Sequence, residues 1–303
     1  MSVPLAYIGI ILVWSTTPLA IKWSGQDVGF LFGVASRMSL ALVASLIALS
    51  LWRKPLPRDR EAIHAYLAVG IPLFLAMSCV YWAAQFIPSG LISVVFGLTP
   101  VVTGLLAVYV LREQSFTPLK VVGMAFGLGG LAVIFIDSFQ LGPAAHWGII
   151  GMLGSVFFHS LGTVWMKKVG SRLPAITANT GGLAVACTLY ATTWLVFDRS
   201  VPSHVPLHTA GSIVYLAIVG SLLGAVMFYY ALKHLDTGKM ALMTLITPVT
   251  ALMIGHWVND EPVKGTTIAG TALVLTGLLA YQGNTLFRRR QPANAVKQED
   301  AVT

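Results

Sequence analysis

The hydrophobic positions of this chain form long, nearly unbroken runs that are separated by short polar segments. Runs of this length are typical of membrane-spanning helices, because about 20 mostly apolar residues cross the hydrocarbon core of a bilayer. The pattern predicts ten such helices, at residues 3–21, 29–52, 65–84, 89–111, 118–136, 147–166, 174–197, 209–232, 238–258 and 265–286. The first run has no preceding basic segment and no small-residue cleavage site, so we expect a retained helix rather than a signal peptide.

The composition agrees with an all-α polytopic membrane protein. Of the 303 residues, 56% are hydrophobic and 10% are charged, whereas an average soluble domain has roughly 25% charged residues. A soluble enzyme is therefore excluded, and so is nucleic-acid binding despite the net charge of +8, since the basic residues do not gather on a soluble face. Two cysteines in apolar runs, Cys79 and Cys187, offer no disulfide framework and no metal-ligand spacing, and we expect neither metal nor cofactor.

The basic residues are distributed asymmetrically between alternate loops. With ten spans, 15 of the 19 lysines and arginines fall in the even-numbered loops, at their edges and in the C-terminal tail. Only Lys22, Arg199 and Lys264 fall on the opposite side, and Arg37 lies within a span. Because basic loops remain in the cytoplasm, the bias predicts that both termini are cytoplasmic.

The two halves of the chain repeat each other. At an offset of 148 residues, the matched positions are Tyr81-Trp82-Ala83 with Tyr229-Tyr230-Ala231, Gly90 with Gly238, Thr99-Pro100 with Thr247-Pro248, and Glu113 with Glu261. Gly130-Leu131 matches Gly277-Leu278 after one deletion, and at the front of each half Trp14 and Lys22 match His159 and Lys167 less closely. We therefore predict two five-helix units, 1–144 and 145–286, followed by a basic and then polar tail, 287–303.

Five is an odd number, so the second unit enters the membrane from the opposite side. Inverted repeats of this kind are typical of carriers that alternate access around a site near the bilayer midplane. The alternative is a membrane scaffold that is built from two homologous halves and transports nothing.

These signatures resemble the drug/metabolite transporter superfamily, specifically its EamA-type members. The resemblance rests on Leu98-Thr99-Pro100 through Leu111-Arg112-Glu113 with the following Gly123 and Gly130, on their counterparts from Ile246 to Gly277, on Trp14-Ser15 and on Arg37, and it covers roughly residues 3–286. It implies a ten-helix carrier of the inner membrane, often an exporter, whose substrates are amino acids, related small metabolites or drugs. The second half departs from the pattern where Phe158-His159 replaces an expected tryptophan.

Arg37 is the first candidate for substrate binding. It lies about nine residues into the second span and therefore about 13 Å deep, where a cation must face the protein interior. No carboxylate is expected at that depth to neutralise it. It either binds a substrate carboxylate, which a guanidinium matches in bidentate fashion, or ties its helix to carbonyl groups of a neighbour.

His159 lies midway along the sixth span. Its reference pKa of about 6.5 would allow it to exchange a proton during transport, while the alternative is a neutral hydrogen-bond donor between two helices. Ser160 and Thr163 beside it either contribute to a polar cavity wall or bond back to their own helix.

Prolines mark the expected cavity walls and bending points. Pro100 and Pro248 remove hydrogen bonds to the carbonyl groups of Phe96 and Thr244, and Pro18 frees that of Trp14. Freed carbonyl groups within a membrane are tolerated where they are buried in protein or line a wet cavity. We therefore include Thr99 and Thr247, which precede two of these prolines, among the cavity residues.

Aromatic, glycine and acidic residues complete the candidates. Trp14, Tyr81, Trp82, Tyr229 and Tyr230 form gates or stacking surfaces, or belong to the interfacial aromatic belt. Three Gly-x-x-x-Gly faces that start at Gly29, Gly123 and Gly220 favour close packing within the bundle or at a dimer interface, so a monomer and a homodimer both stay open. Glu113 and Glu261 each precede a helix, whose N-terminus we expect them to stabilise.

Competing classes of protein find little support in the sequence. It has no Gly-x-Ser-x-Gly elbow, no His-Glu-x-x-His motif and no Walker A sequence, and its acids avoid the predicted bilayer centre, so an intramembrane enzyme is the weaker alternative. No ring of repeated charges indicates a channel filter. A secondary transporter for small molecules in the lipid bilayer fits best.

Overall fold

The protein is all-helical in its computed structural model, which describes residues 2–112, 117–138, 142, 144–170, 173–197, 199, 201–235 and 237–287. Within these residues there are twelve α-helices and one π-helical segment. The α-helices are α1 Val3–Gly25, α2 Phe30–Leu51, α3 Arg60–Ala83, α4 Ser89–Phe96, α5 Thr99–Leu111, α6 Pro118–Ser138, α7 Ala145–Val169, α8 Ala175–Phe197, α9 Leu207–Tyr215, α10 Gly224–His234, α11 Thr237–Asn259 and α12 Gly265–Phe287. The π-helical segment, Leu216–Leu223, joins α9 to α10.

Eight helical stretches in the described part of the chain are long and apolar enough to cross a membrane. They are Val3–Gly25, Phe30–Leu51, Arg60–Ala83, Ser89–Leu111, Pro118–Ile136, Ala145–Val169, Ala175–Phe197 and Leu242–Asn259, and a shorter apolar helix covers Leu207–Leu223. Many large apolar side chains on these helices are exposed, for example Leu5 and Leu12 on α1 and Trp257 on α11. Exposed apolar surface on so many helices is suited to lipid, and the protein is a multi-pass membrane protein.

Helices from the two halves of the chain pack against each other throughout the bundle. α3 lies between α7 and α8, α2 contacts α8, α4 contacts α11, and α6 packs along α12. α1 contacts α9, the π-helical segment, α10 and α11. The main hydrophobic core is assembled from side chains of both halves, such as Met38, Tyr81, Met152 and Leu278.

Small residues allow the closest of these helix contacts. A Cβ atom added at Gly123 on α6 would lie 2.6 Å from the carbonyl oxygen of Gly277 on α12, and one added at Gly130 would lie 2.5 Å from that of Gly270. Gly33 on α2 lies directly against the backbone of Ser24 at the end of α1. Gly29 differs from the prediction, because it has a φ of +79° and no neighbour within 4 Å, so it is a turn residue before α2 rather than a packing residue.

Candidate functional site

Arg37 lies where four helical segments meet. Its side chain projects from α2 and is 6% exposed, and its Cζ atom lies 6.0 Å from the centroid of the Tyr81 ring on α3. A Cβ atom added at Gly220, in the π-helical segment, would lie 3.8 Å from Nη2 of the guanidinium and 3.9 Å from Oγ1 of Thr17 on α1. The absence of a side chain at Gly220 therefore leaves room beside the charge.

Two nitrogen atoms of the Arg37 guanidinium have no hydrogen-bond acceptor. Its Nε and Nη1 atoms are buried and have no hydrogen-bond partner in the structure. A buried donor without a partner costs about 1–3 kcal/mol, and more when the group is charged. The arrangement is therefore stabilised by any ligand that brings planar, negatively charged acceptor atoms, and a carboxylate has that form.

Two buried tyrosines stand near this charge. Tyr81 is 1% exposed and its hydroxyl accepts a hydrogen bond of 3.1 Å from Ser24 on α1. Tyr190 on α8 is also 1% exposed, and its hydroxyl donates to the Phe74 carbonyl at 3.0 Å and lies 3.2 Å from the Ser78 hydroxyl. Because Tyr81 is buried in protein, it does not belong to a lipid-facing aromatic belt.

His159, Ser160 and Thr99 come together at a second place, between α7 and the junction of α4 with α5. The exposed His159 ring packs edge-on against Phe96, with 5.1 Å between ring centroids. The Ser160 hydroxyl donates to the Thr99 carbonyl at 3.4 Å, so it bridges two helices. Thr163, in contrast, donates to the His159 carbonyl at 3.1 Å and bonds back to its own helix.

The junction between α4 and α5 is a break in the helix, at Gly97 and Leu98. The carbonyl group of Phe96, which Pro100 was expected to free, accepts a hydrogen bond of 2.6 Å from the Thr99 hydroxyl. Pro18 and Pro248, by comparison, lie inside the continuous helices α1 and α11. Thr247 beside Pro248 is buried, and its carbonyl accepts a hydrogen bond of 3.1 Å from Thr250.

The other described aromatic candidates pack against partners other than Arg37. Trp14 packs 5.4 Å from Phe228 in a separate apolar cluster with Ile10, Ala231 and Met243. Trp82 packs 5.0 Å from Phe86 and covers Gly151 on α7, and Tyr230 stacks 4.3 Å from His234. The side chain of Tyr229 lies outside the described residues, as do Glu113 and the tail from 288 onward.

One end of the bundle is tied together by Glu261. This carboxylate is 5% exposed and accepts hydrogen bonds from the Ser89 amide and hydroxyl, both at 2.7 Å, from Asn259 at 3.0 Å, and from Lys22, also at 3.0 Å. Lys22 Nζ also lies 3.4 Å from the Ile87 carbonyl. The acid therefore joins the end of α1, the start of α4 and the turn between α11 and α12.

Glu261 stabilises the N-terminus of a helix, as the sequence predicted, but the helix is α4 and not α12. It precedes α12 in sequence, yet its carboxylate binds the first amide of α4 and so stabilises the N-terminus of that helix. Sequence reasoning also missed Tyr190 and the π-helical segment beside Arg37. A π-helical turn has no local sequence signature, although such turns are frequent at functional sites.

The described residues contain no group of three or more His, Cys, Asp or Glu side chains that could hold a metal ion. The features of the site are instead a buried cation with free donors, hydroxyl groups at a broken helix and an ion pair that closes one end. In a multi-pass helical bundle, polar groups placed in this way are those of a protein that handles small molecules within the membrane.

The chain belongs to the EamA-like transporter family, whose model matches residues 1–136 and, a second time, residues 146–281. It is accordingly a membrane transporter of the drug/metabolite transporter superfamily, with small-molecule substrates, and the family comprises transporters rather than enzymes.

Relatives of known name are similar over most of their length. Protein PecM of Dickeya dadantii is 26% identical over 236 residues, which cover 78% of each chain. The "Probable terminal-alkyne amino-acid exporter" of Streptantibioticus cattleyicolor is 26% identical over 93% of each chain. The "Probable amino-acid metabolite efflux pump" of Escherichia coli is 22% identical over 89% of this chain and 91% of its own. A protein crystal structure with 20% identity superimposes with a TM-score of 0.64 over 94% of this chain and 97% of that one, which shows a common fold.

Proposed function

We propose that this protein is a secondary carrier that exports amino acids or related metabolites with a carboxylate group across the inner membrane by alternating access. The observation that carries the proposal is the buried guanidinium of Arg37, whose Nε and Nη1 lack partners. A carboxylate substrate would supply the missing acceptors and leave the site unsatisfied again on release. The names of two relatives, an amino-acid exporter and an amino-acid metabolite efflux pump, support this substrate class.

The packing of α6 against α12 supports two inverted repeats. With the offset of 147 residues that relates these helices, Gly123 corresponds to Gly270 and Gly130 to Gly277. The observed contacts are crossed, since Gly123 meets Gly277 and Gly130 meets Gly270. Crossed contacts between equivalent residues are what a two-fold axis between two like units produces.

The other helix contacts follow the same symmetry. α3 packs on α7, and its counterpart, formed by α9, the π-helical segment and α10, packs on α1. The pairs α2 with α8 and α4 with α11 join counterparts directly. We therefore infer ten crossings, in which α4 with α5 and α9 with α10 each form one, and both termini lie in the cytoplasm as the basic loops predict.

In this topology the Glu261 cluster lies at the outer end of the bundle. It joins α1 and α4 of the first repeat to the turn between α11 and α12 of the second. The four hydrogen bonds to the buried Glu261 carboxylate hold the two repeats together at this end. When these bonds break, the two repeats can separate there. The structure would then represent a carrier that is closed to the outside.

His159 is the candidate for proton coupling. Its ring is exposed beside Phe96, and neither α4 nor α5, which pack against α7, carries an acidic or basic side chain. A proton taken up there would place a positive charge beside Phe96 at the end of α4.

Counterflow in proteoliposomes tests the transport function. Vesicles containing the purified chain are preloaded with unlabelled amino acids, and uptake of each labelled amino acid is followed, with protein-free vesicles as the control. We expect saturable uptake that internal substrate accelerates, and recovery of the label unchanged. Equal uptake with and without protein would contradict a carrier of amino acids, and recovery of a converted label would indicate an enzyme.

A further inference from the structure

A groove on the flank of the bundle carries two basic side chains. It has a volume of about 520 Å³ and lies between α3, α5 and α7, lined by His64, Leu67, Val110, Leu161, Trp165, Lys168 and Val169. His64 in the first turns of α3 and Lys168 in the last turn of α7 are both exposed. The remaining lining side chains are apolar or aromatic, so the groove combines the Lys168 ammonium group and the His64 imidazole with an apolar wall.

The fold contains this groove twice. A second groove of about 460 Å³ lies between α1, α9 and α11. Six of the seven residues that line the first groove have repeat counterparts that line the second, at offsets of 148 residues for α3 and α5 and 145 residues for α7. The counterpart pairs are His64 and Ser212, Leu67 and Tyr215, Val110 and Val258, Leu161 and Thr16, Trp165 and Ala20, and Lys168 and Trp23.

The two grooves differ where the charge lies. The positions of Lys168 and His64 are taken in the second groove by Trp23 and Ser212, neither of which is basic. Among the described residues that line the second groove, His208 is the basic side chain, and it faces Asp27 at 3.9 Å. The two grooves therefore share their shape, which follows from the repeat, whereas among the described lining residues the lysine is present only in the groove between α3, α5 and α7.

The location of the charged copy agrees with its chemistry. In the topology of the proposed function, on which this inference rests, the first groove opens toward the cytoplasmic leaflet and the second toward the outer leaflet. The cytoplasmic leaflet attracts basic residues near the surface through its anionic lipids, and basic pockets between membrane helices on that side bind their headgroups. Trp165 lies one helical turn before Lys168, near the end of α7, and tryptophan is enriched at membrane interfaces.

We propose that the groove between α3, α5 and α7 binds an anionic phospholipid of the cytoplasmic leaflet. Lys168 and His64 contact the phosphate, and an acyl chain lies along Leu67, Val110 and Leu161. A soluble metabolite would gain little from this wall, since the wall is apolar. The lipid would hold α7, which carries His159 and Ser160, against α3.

Binding of defined lipids to the purified full chain tests this proposal. Dioleoyl phosphatidylglycerol and dioleoyl phosphatidylcholine, which share their acyl chains, are titrated in neutral detergent, and bound lipid is counted by native mass spectrometry. We expect tighter binding of phosphatidylglycerol, by about fivefold for the lysine charge at the membrane surface. Equal binding of the two lipids would overturn the proposal.

Three variants locate the bound lipid. Lys168→Gln combined with His64→Gln should abolish the preference, and Leu161→Trp should lower binding of phosphatidylglycerol while both bases stay in place. Lys54→Gln removes a charge from an exposed loop position and should leave the preference unchanged. A preference that survives the double substitution, in protein that elutes as wild type on size exclusion, would overturn the assignment of this groove.

Two further measurements distinguish a lipid site from a simple anion site and from the proposed transport function. Glycerol 3-phosphate, which has the headgroup chemistry without the chains, should not compete at millimolar concentration, and competition would overturn a lipid site in favour of a simple anion site. Lipid binding is read without transport. A chain that exchanges amino acids but shows no lipid preference therefore contradicts this inference alone, and the reverse result contradicts only the proposed function.

Discussion

At the scale of single residues, the described part of the chain buries two side chains of opposite charge, Glu261 and Arg37, and their hydrogen bonding differs. Glu261 has four hydrogen-bond donors within 3.0 Å, so its charge is compensated by the protein itself. Arg37 keeps Nε and Nη1 without partners. Since a buried charge is tolerated when it is paired, the first is suited to hold structure and the second to receive an anion.

His159→Ala tests proton coupling at the same scale. We expect the variant to retain downhill exchange and to lose the dependence of uptake on a pH gradient, because the side chain to which we assign proton exchange is gone. The measurement compares counterflow with uptake driven by an imposed pH gradient in the same vesicles. His204→Ala, a substitution in the exposed segment before α9, is the control. A variant that remains fully driven by the gradient would show that His159 does not carry the proton.

At the scale of elements, the sequence predicted much of the structure. The ten predicted segments fall on helical residues with ends that differ by a few residues, although 89–111 is broken at Gly97 and Leu98. Eight described stretches are long and apolar enough to cross a membrane. The helix break before Pro100 lies next to Phe96, whose carbonyl group the sequence predicted to lose its amide donor. This break could be predicted because proline removes the donor from a residue only four positions away. The π-helical segment and the partner of Glu261, which is 172 residues away, could not be predicted, since both depend on how distant helices pack.

Gly123→Ala tests the close packing of α6 on α12. The added methyl group would lie 2.5 Å from the amide nitrogen of Tyr281 and 2.6 Å from the carbonyl oxygen of Gly277, and backbone atoms cannot move aside easily. We expect a loss of about 1–3 kcal/mol in stability, as for other overpacked contacts, seen as a lower Tm in detergent.

Gly129→Ala on the same helix is the matched control for that substitution. A Cβ atom at Gly129 meets nothing within 4 Å, so the variant should be neutral or gain up to about 1 kcal/mol from helix propensity. Equal Tm shifts for the two alanine variants would contradict the crossed glycine contacts on which the two-fold arrangement rests.

At the scale of the whole molecule, two copies of one unit are joined in a structure that is symmetric in shape and asymmetric in chemistry. The glycine contacts and the flanking grooves occur twice, whereas Arg37 corresponds to Val185 or, at the shorter offset of 145 residues, to Gly182, and Lys168 corresponds to Trp23. In the proposed mechanism, this symmetry provides two equivalent ways of opening. The residues that depart from it are the ones to which we assign ligands.

Glu261→Gln tests the closure of the outer end. Loss of the charge weakens the bonds from Lys22 and Ser89, so we expect the outward-open population to increase. The reporter is Ser93→Cys, one helical turn after Ser89, in a protein from which Cys79 and Cys187 have been removed. Its labelling by an impermeant maleimide should become about tenfold faster in Glu261→Gln, which corresponds to a change of about 1.4 kcal/mol in the equilibrium between the closed and open states. Asp260→Asn removes the neighbouring exposed acid and should leave the labelling rate unchanged. Equal labelling rates for the parent protein, Glu261→Gln and Asp260→Asn would contradict an outer gate.

The most direct test of the account is whether Arg37 recognises the carboxylate of the substrate. Counterflow is measured for an amino acid that the wild-type protein exchanges, with Arg37→Gln, Arg37→Lys and the exposed-loop control Arg58→Gln. Loss of a charged hydrogen bond of about 1.5–3 kcal/mol predicts an affinity lower by about tenfold or more for Arg37→Gln, partial retention for Arg37→Lys and no change for Arg58→Gln. Wild-type exchange by a folded Arg37→Gln protein would contradict the account.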